Sequence, residues 1–264
     1  MIGAAMVHMF SAFLLKAYRR PREVTWISGM ALFGLSMAFG FSGYLLPWNQ
    51  LAYFATKVGT DIVGDLPLAG PFLLRFLRGG DHITGGTLTR FFGFHVAILP
   101  AVAGALLLLH LYLVQRHGMS VPPSVEENGS PPRTIKFVPN FLLRDMVGWL
   151  AALGALALLA ALLPWELGIK ADPYAPAPAG TRPEWYFGWM FQTLRMLPAH
   201  ILGLEGELAG VLGIGVAGLA WLAVPFLDDP RGVGGRARLW RVVGVTAIVY
   251  IVIFTLLAYR KVGP

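Results

Sequence analysis

Five apolar runs, at residues 26–48, 88–114, 146–163, 208–227 and 239–259, constrain this chain more than anything else in it. Each is close to the roughly 20 residues that a helix needs to cross a hydrocarbon core about 30 Å thick. With 56% hydrophobic and only 13% charged residues, the composition lies far from that of a soluble globular domain. The predicted fold is all-α, a multi-spanning transmembrane bundle of five full spanning helices plus a partial first helix. That partial helix is the run at 1–15, which at 1.5 Å per residue reaches only about 22 Å. It is not a secretory signal, because its charges, Lys16, Arg19, Arg20 and Arg22, follow the apolar run instead of preceding it. It reads as the tail of a helix whose start is encoded upstream or supplied by a separate polypeptide.

Basic residues orient the bundle. The segments 16–22, 116–144 and 231–241 alternate with the other connections and are expected on the cytoplasmic face. The net charge of +7 does not indicate nucleic acid, because no soluble basic domain exists that would bind it. With no cysteine, the chain has no disulfide, thiolate metal site or c-type haem attachment of its own. A Pro- and Ser-rich stretch divides the chain into a front half (1–119), a flexible cytoplasmic linker (120–136) and a back half (137–264). The external stretch 51–87 has the length and polarity for short helices, with turns at Gly79-Gly80 and Gly85-Gly86. Four prolines in 171–183 make a stiff, extended external segment.

Within this frame His95 and His110 stand fifteen residues apart on one apolar helix. Ionisable side chains at membrane depth are costly and mark function by default. The pair is separated by roughly 22 Å along the axis and by about 60° around it, so one imidazole lies in each leaflet and both face one bundle interior. Two stacked cofactors fit that geometry; hydrogen-bonded helix glue is the other reading. Gly29 and Gly43 are fourteen residues apart on the preceding helix, about 21 Å. Glycine costs roughly 1 kcal/mol in a helix interior, and close approach of a bulky flat ligand explains it as well as small-residue helix packing does.

Gly43-Tyr44-Leu45-Leu46-Pro47-Trp48, Thr87-Leu88-Thr89-Arg90-Phe91-Phe92, the His95/His110 pair and Pro183-Glu184-Trp185-Tyr186 occur in the order seen in cytochrome b of the cytochrome bc complexes, the quinol:cytochrome c or plastocyanin oxidoreductases. The chain resembles that family over nearly its whole length, with front and back halves fused. Four motifs agreeing in order and spacing are far more specific than any one alone.

The resemblance implies two b-type haems, each held by two histidines. His8 and His110 match the ligands of the high-potential haem iron near the cytoplasmic face. His95 matches a ligand of the low-potential haem iron near the outer face, with its partner expected ahead of Met1. Gly29, Gly43 and Arg90 match haem-contacting positions. Imidazoles on both faces leave the iron no open site for oxygen, so it transfers electrons only. Glu184, with Tyr186 and Tyr44, matches the outer quinol-oxidation site, where a carboxylate in a partly apolar pocket accepts a quinol proton. An ion pair with Arg182 or Arg195 is the plainer role for Glu184. Asp145 matches the inner quinone-reduction site of respiratory members, or else is a charged helix start. Tyr53-Phe54-Ala55-Thr56-Lys57 resembles the photosynthetic branch. Ser11 and Gln115 stand where relatives commonly carry basic residues. The implied partners are a Rieske iron–sulfur protein, a c-type cytochrome or equivalent acceptor, quinone, the lipid membrane and a second copy of the complex, in a bacterial plasma membrane. Two further classes accommodate paired intramembrane histidines: the dihaem anchor of a dehydrogenase or hydrogenase, and a transporter using them as proton relays. His82 and His200 are expected in external loops and His117 just past a helix end.

Overall fold

A computed structural model describes residues 1–129, 134–229, 232 and 234–260. Residues 130–133 of the expected linker, Arg231 of the third basic segment and 261–264 of the back half lie outside the described residues.

Among the described residues, four stretches are long and apolar enough to cross a membrane. They are α2 (Glu23–Leu45), the continuous helix Gly85–His117, the stretch Phe137–Leu162 and α12 (Gly234–Tyr259). Two shorter apolar helices, α1 (Ile2–Leu14) and α10 (Gly206–Leu222), accompany them. The chain is an integral membrane protein of the all-α class, and among the described residues its strands are confined to the short hairpin of β1 (His200–Ile201) and β2 (Leu204–Glu205).

The run at 208–227 does not form one full span. It ends as α10 at Leu222 and restarts as α11 (Val224–Leu227). Pro225 has no N–H for the Trp221 carbonyl, and its ring crowds that same oxygen. The freed acceptor is taken by the Trp26 indole, Nε1 to O 3.3 Å, which joins α2 to the break.

On the outer side α3 (Gln50–Gly64) starts at Asn49, whose side chain accepts from the Ala52 N–H, and α4 (Gly70–Arg78) ends at Gly79 with φ +81°. A left-handed residue there closes the helix, and only glycine adopts it without strain. Gly85-Gly86, expected as a turn, instead opens α5 (Gly85–Gly93), because Thr84 and Thr87 cap each other's backbone. Buried Arg78 ties α4 to α3 through Asp61 (2.7 Å) and Thr60 (2.8 Å). Burial works against ionising Asp61, but hydrogen bonds from Lys57 and Arg78 outweigh it and hold the carboxyl below its usual range.

The basic connections meet at the opposite end. Lys16 and Tyr18 both donate to Asp228. Arg19 forks onto Glu126 of α7 (Pro123–Glu127) and reaches the Val121 carbonyl. Arg22 donates to the carbonyls of His117, Gly118 and Met119. Burial, then the Asp228 hydrogen bond, raises the Tyr18 phenol well above its ordinary value. Phe13, Tyr18, Trp26 and Val224 form the core under this end. The start of the expected linker is therefore anchored, and Lys16 also donates to the Ala237 carbonyl at 3.0 Å, so residues from all three basic segments share one side of the bundle.

Candidate functional site

Helix α2 lies along the helix that carries His95 and His110, and it meets each imidazole with the same two-residue device. At the outer level Ser42 Oγ is 3.0 Å from His95 Nδ1, and Phe39 stands edge-on to the ring. A Cβ on Gly43 would stand only 2.7 Å from His95 Cε1. At the inner level Ser28 Oγ is 3.0 Å from His110 Nδ1, and a Cβ on Gly29 would stand 3.1 Å from His110 Cε1. A Ser-Gly pair repeated fourteen residues apart thus answers histidines fifteen apart.

The odd residue is absorbed by a π-turn, Phe94–Ile98, between α5 and α6 (Leu99–His117). There the Leu99 N–H bonds Phe94 O, five residues back. Pro100 follows immediately and has no N–H for the Val96 carbonyl, which favours opening the turn. A π-turn takes up one more residue than an α-turn. Fifteen residues across it therefore rotate like fourteen in plain α-helix, and both histidines keep register with both glycines.

These features fit a flat, imidazole-ligated group at each level. The Nδ1 atom of each ring is held by protein, the ring edge rests where only hydrogen fits, and Nε2 has no bond to the protein among the described residues. His8 is exposed on α1. Arg90 points elsewhere: Nη1 donates to Phe76 O at 3.0 Å, and its side chain lies under Gly79, fastening the end of α4.

Beyond His95 on the outer side is a cavity of about 380 Å³. Its walls come from α2 (Phe41, Tyr44), α3 (Gly59), the loop before α9 (Pro183, Glu184), α9 (Trp185–Met196, through Tyr186) and α10. Such a volume with a few convergent polar groups suits a ring-shaped apolar ligand. Tyr44, Glu184 and Tyr186 line the cavity together. Burial, then that carboxylate, pushes the Tyr186 phenol up to about 12. The Tyr186 hydroxyl reaches across to Gly40 of α2, where any side chain would collide with it. Neither expected counter-ion pairs with Glu184. Arg182 stacks 4.1 Å over Tyr259 and Arg195 lies 5.6 Å over Phe191, and among the described residues Glu184 forms no ion pair.

Asp145 is not brought to any of these groups. It sits in the first turn of α8 (Leu142–Leu162), where a carboxylate suits the helix dipole. Among the described residues α8 has no substantial packing partner except the turn before it. His82 and His200 are exposed, and His117 belongs to the last turn of α6, 3.5 Å from Thr25 Oγ1. Sequence reasoning missed Ser28, Ser42 and Gly40. The signal was present in the repeated Ser-Gly dipeptide, but its meaning needed the register between two helices.

Residues 1–169 match the family described as "Cytochrome b(N-terminal)/b6/petB" and residues 170–263 the one described as "Cytochrome b(C-terminal)/b6/petD". The "Cytochrome bc complex cytochrome b subunit" of Chlorobaculum thiosulfatiphilum is 43% identical over 99% of this chain, and "Cytochrome b" of Rickettsia conorii (strain ATCC VR-613 / Malish 7) is 34% identical over 87%. This chain spans 60% and 56% of those relatives' lengths. A solved "Hyperthermophilic respiratory Complex III" superposes with a TM-score of 0.81 at 30% identity, over 100% of this chain and 69% of that one.

Proposed function

Since the chain belongs to the cytochrome b family, we propose that it serves as the dihaem subunit of a quinol-oxidising bc-type complex, moving electrons between an outer quinol-oxidation site and an inner quinone-reduction site with coupled proton translocation. The observation that carries this reading is the repetition itself, two serine-held histidines at two depths of one helix, the outer one neighbouring the cavity that Glu184 lines. His8 with His110 would hold one b haem and His95 would hold the other. A haem with an imidazole on each face supplies one-electron transfer without binding oxygen.

The chain's own residues do the rest. The cavity wall orients a quinol and excludes water around it. Glu184, unpaired with any cation among the described residues, accepts a proton from the quinol hydroxyl as electrons leave. Tyr186, protonated at every working pH, donates a hydrogen bond. Asp145 would serve the inner site once α8 is covered. A Rieske iron–sulfur protein and a c-type cytochrome, a dimeric assembly and a bacterial plasma membrane accompany this reading, which the bc-complex and Complex III names of the relatives support. Those names also favour it over a dehydrogenase anchor or a transporter.

Redox titration of the purified complex tests it. Two b-type components of different potential should appear, and Glu184→Gln should slow their reduction by quinol without changing their spectra. Absence of haem absorbance would leave the transporter reading. Quinol-independent reduction by a dehydrogenase partner would leave the anchor reading.

A further inference from the structure

We propose that Ser28 and Ser42 are positioning residues that fix the tautomers of His110 and His95 and set the potentials of the two haems independently. The inference rests on the haem reading above and deepens it.

A hydroxyl has one proton to give. Ser28 gives it to Thr25 O at 2.9 Å, and Ser42 gives it to Phe39 O at 3.3 Å, each three residues back along α2. A carbonyl can only accept, so those protons are spent. Each Oγ is left with lone pairs to face the histidine nitrogen 3.0 Å away, and that nitrogen, Nδ1, must carry the hydrogen. A neutral imidazole has one N–H, so Nε2 keeps its lone pair, the form that binds a metal.

The two serines are buried, 4% and 5% exposed, in a helix where an apolar residue would pack as well. Ser36 lies between them on α2 and gives its proton to Phe33 O in the same way, yet has no bond to a histidine. The back-bond is therefore common to all three serines, and the histidine contact belongs to two. An acceptor on Nδ1–H makes the ring a stronger electron donor, which favours ferric iron and lowers the potential. The shorter back-bond of Ser28 polarises its oxygen more, so the inner haem should feel its serine more strongly.

The test is a redox titration of the assembled complex carrying Ser28→Ala, Ser42→Ala or Ser36→Ala, with low-spin ferric EPR on the same samples. In Ser28→Ala the ferrous-to-ferric ratio of the His110 haem at fixed ambient potential should rise roughly threefold, ~28 mV at 59 mV per tenfold for one electron. Its EPR signal should move and that of the other haem should not. Ser42→Ala should do the same, by less, to the His95 haem alone. Ser36→Ala should move neither, and Ser28→Thr and Ser42→Thr should restore the native values. If alanine prevents haem insertion, Ser28→Cys and Ser42→Cys, weaker acceptors of similar size, should shift the same haem in the same direction. Unchanged potentials, equal shifts at both haems, a shift in Ser36→Ala or failure of threonine to restore would overturn the proposal. A native complex without two b haems would instead overturn the reading beneath it.

Discussion

At the outer end Glu184 faces a cavity walled by α2, α3, α9 and α10, whereas at the inner end Asp145 stands on a helix that, among the described residues, has no substantial packing partner but its own preceding turn. Both carboxylates were picked out by the same kind of short motif. What separates them is enclosure. Gly188 of α9 sits against Thr255 and Ala258 of α12, so the helix that follows the Glu184 loop is itself packed. The histidine levels show the same grading. His95 is pressed more closely on Gly43 than His110 is on Gly29.

The sharpest way to break this contrast is at the glycines. In Gly43→Ala the new methyl carbon would stand 2.7 Å from an imidazole carbon, a separation that real contacts do not show, so the ring must move. Most of the outer haem should be lost. In Gly29→Ala the corresponding separation is 3.1 Å, and a shift of a few tenths of an ångström relieves it. The inner haem should be retained in greater part. Haem-to-protein ratio together with the reduced-minus-oxidised spectrum measures both, and equal losses would mean that the two levels are not differently packed.

Next in size is Glu184→Gln, which removes the proton acceptor from the cavity and touches no metal ligand. General-base effects of about 10²-fold or more are usual; stopped-flow reduction by quinol should slow on that scale with both haem signals intact. Unaltered rates across the pH range would remove Glu184 from the reaction. Asp145→Asn should have a smaller effect, confined to reoxidation of the high-potential haem by quinone. If it matched Glu184→Gln in size, the inner end would have to be as enclosed as the outer one in the assembled complex.

Much of this was legible in the sequence, for physical reasons that differ by region. The spans were plain because burial in hydrocarbon writes itself as length and composition. The break at Pro225 was less so, since an apolar run shows no gap in hydropathy even where a missing N–H ends the helix. Gly85-Gly86 looked like a turn until the reciprocal caps of Thr84 and Thr87 showed a helix start. His95 and His110 are fifteen residues apart and Gly29 and Gly43 fourteen, and the π-turn that takes up the difference has no signature in hydropathy. Arg90 carried a family motif yet serves the end of α4. Ser28 and Ser42 were invisible because a hydrogen bond between helices depends on register, which no single helix encodes.

The smallest expected effect concerns Tyr186, and here the sign can be worked through. Its phenol is pushed up to about 12, first by burial and then by the Glu184 carboxylate, from an ordinary value of about 10. A raised value means that the native state favours the protonated form. The associated stability is fully present below about pH 10 and is lost as pH rises through about 12. Throughout the working range the hydroxyl is therefore protonated and serves as a hydrogen-bond donor, never as the base. Tyr186→Phe should lower the quinol-oxidation rate only modestly and leave every inflection of its pH profile in place. In alkaline unfolding the native protein should lose stability relative to the Phe variant between about pH 10 and 12. An inflection that moved in Tyr186→Phe would mean that the phenol exchanges the quinol proton itself, and the division of labour between Glu184 and Tyr186 would have to be reversed.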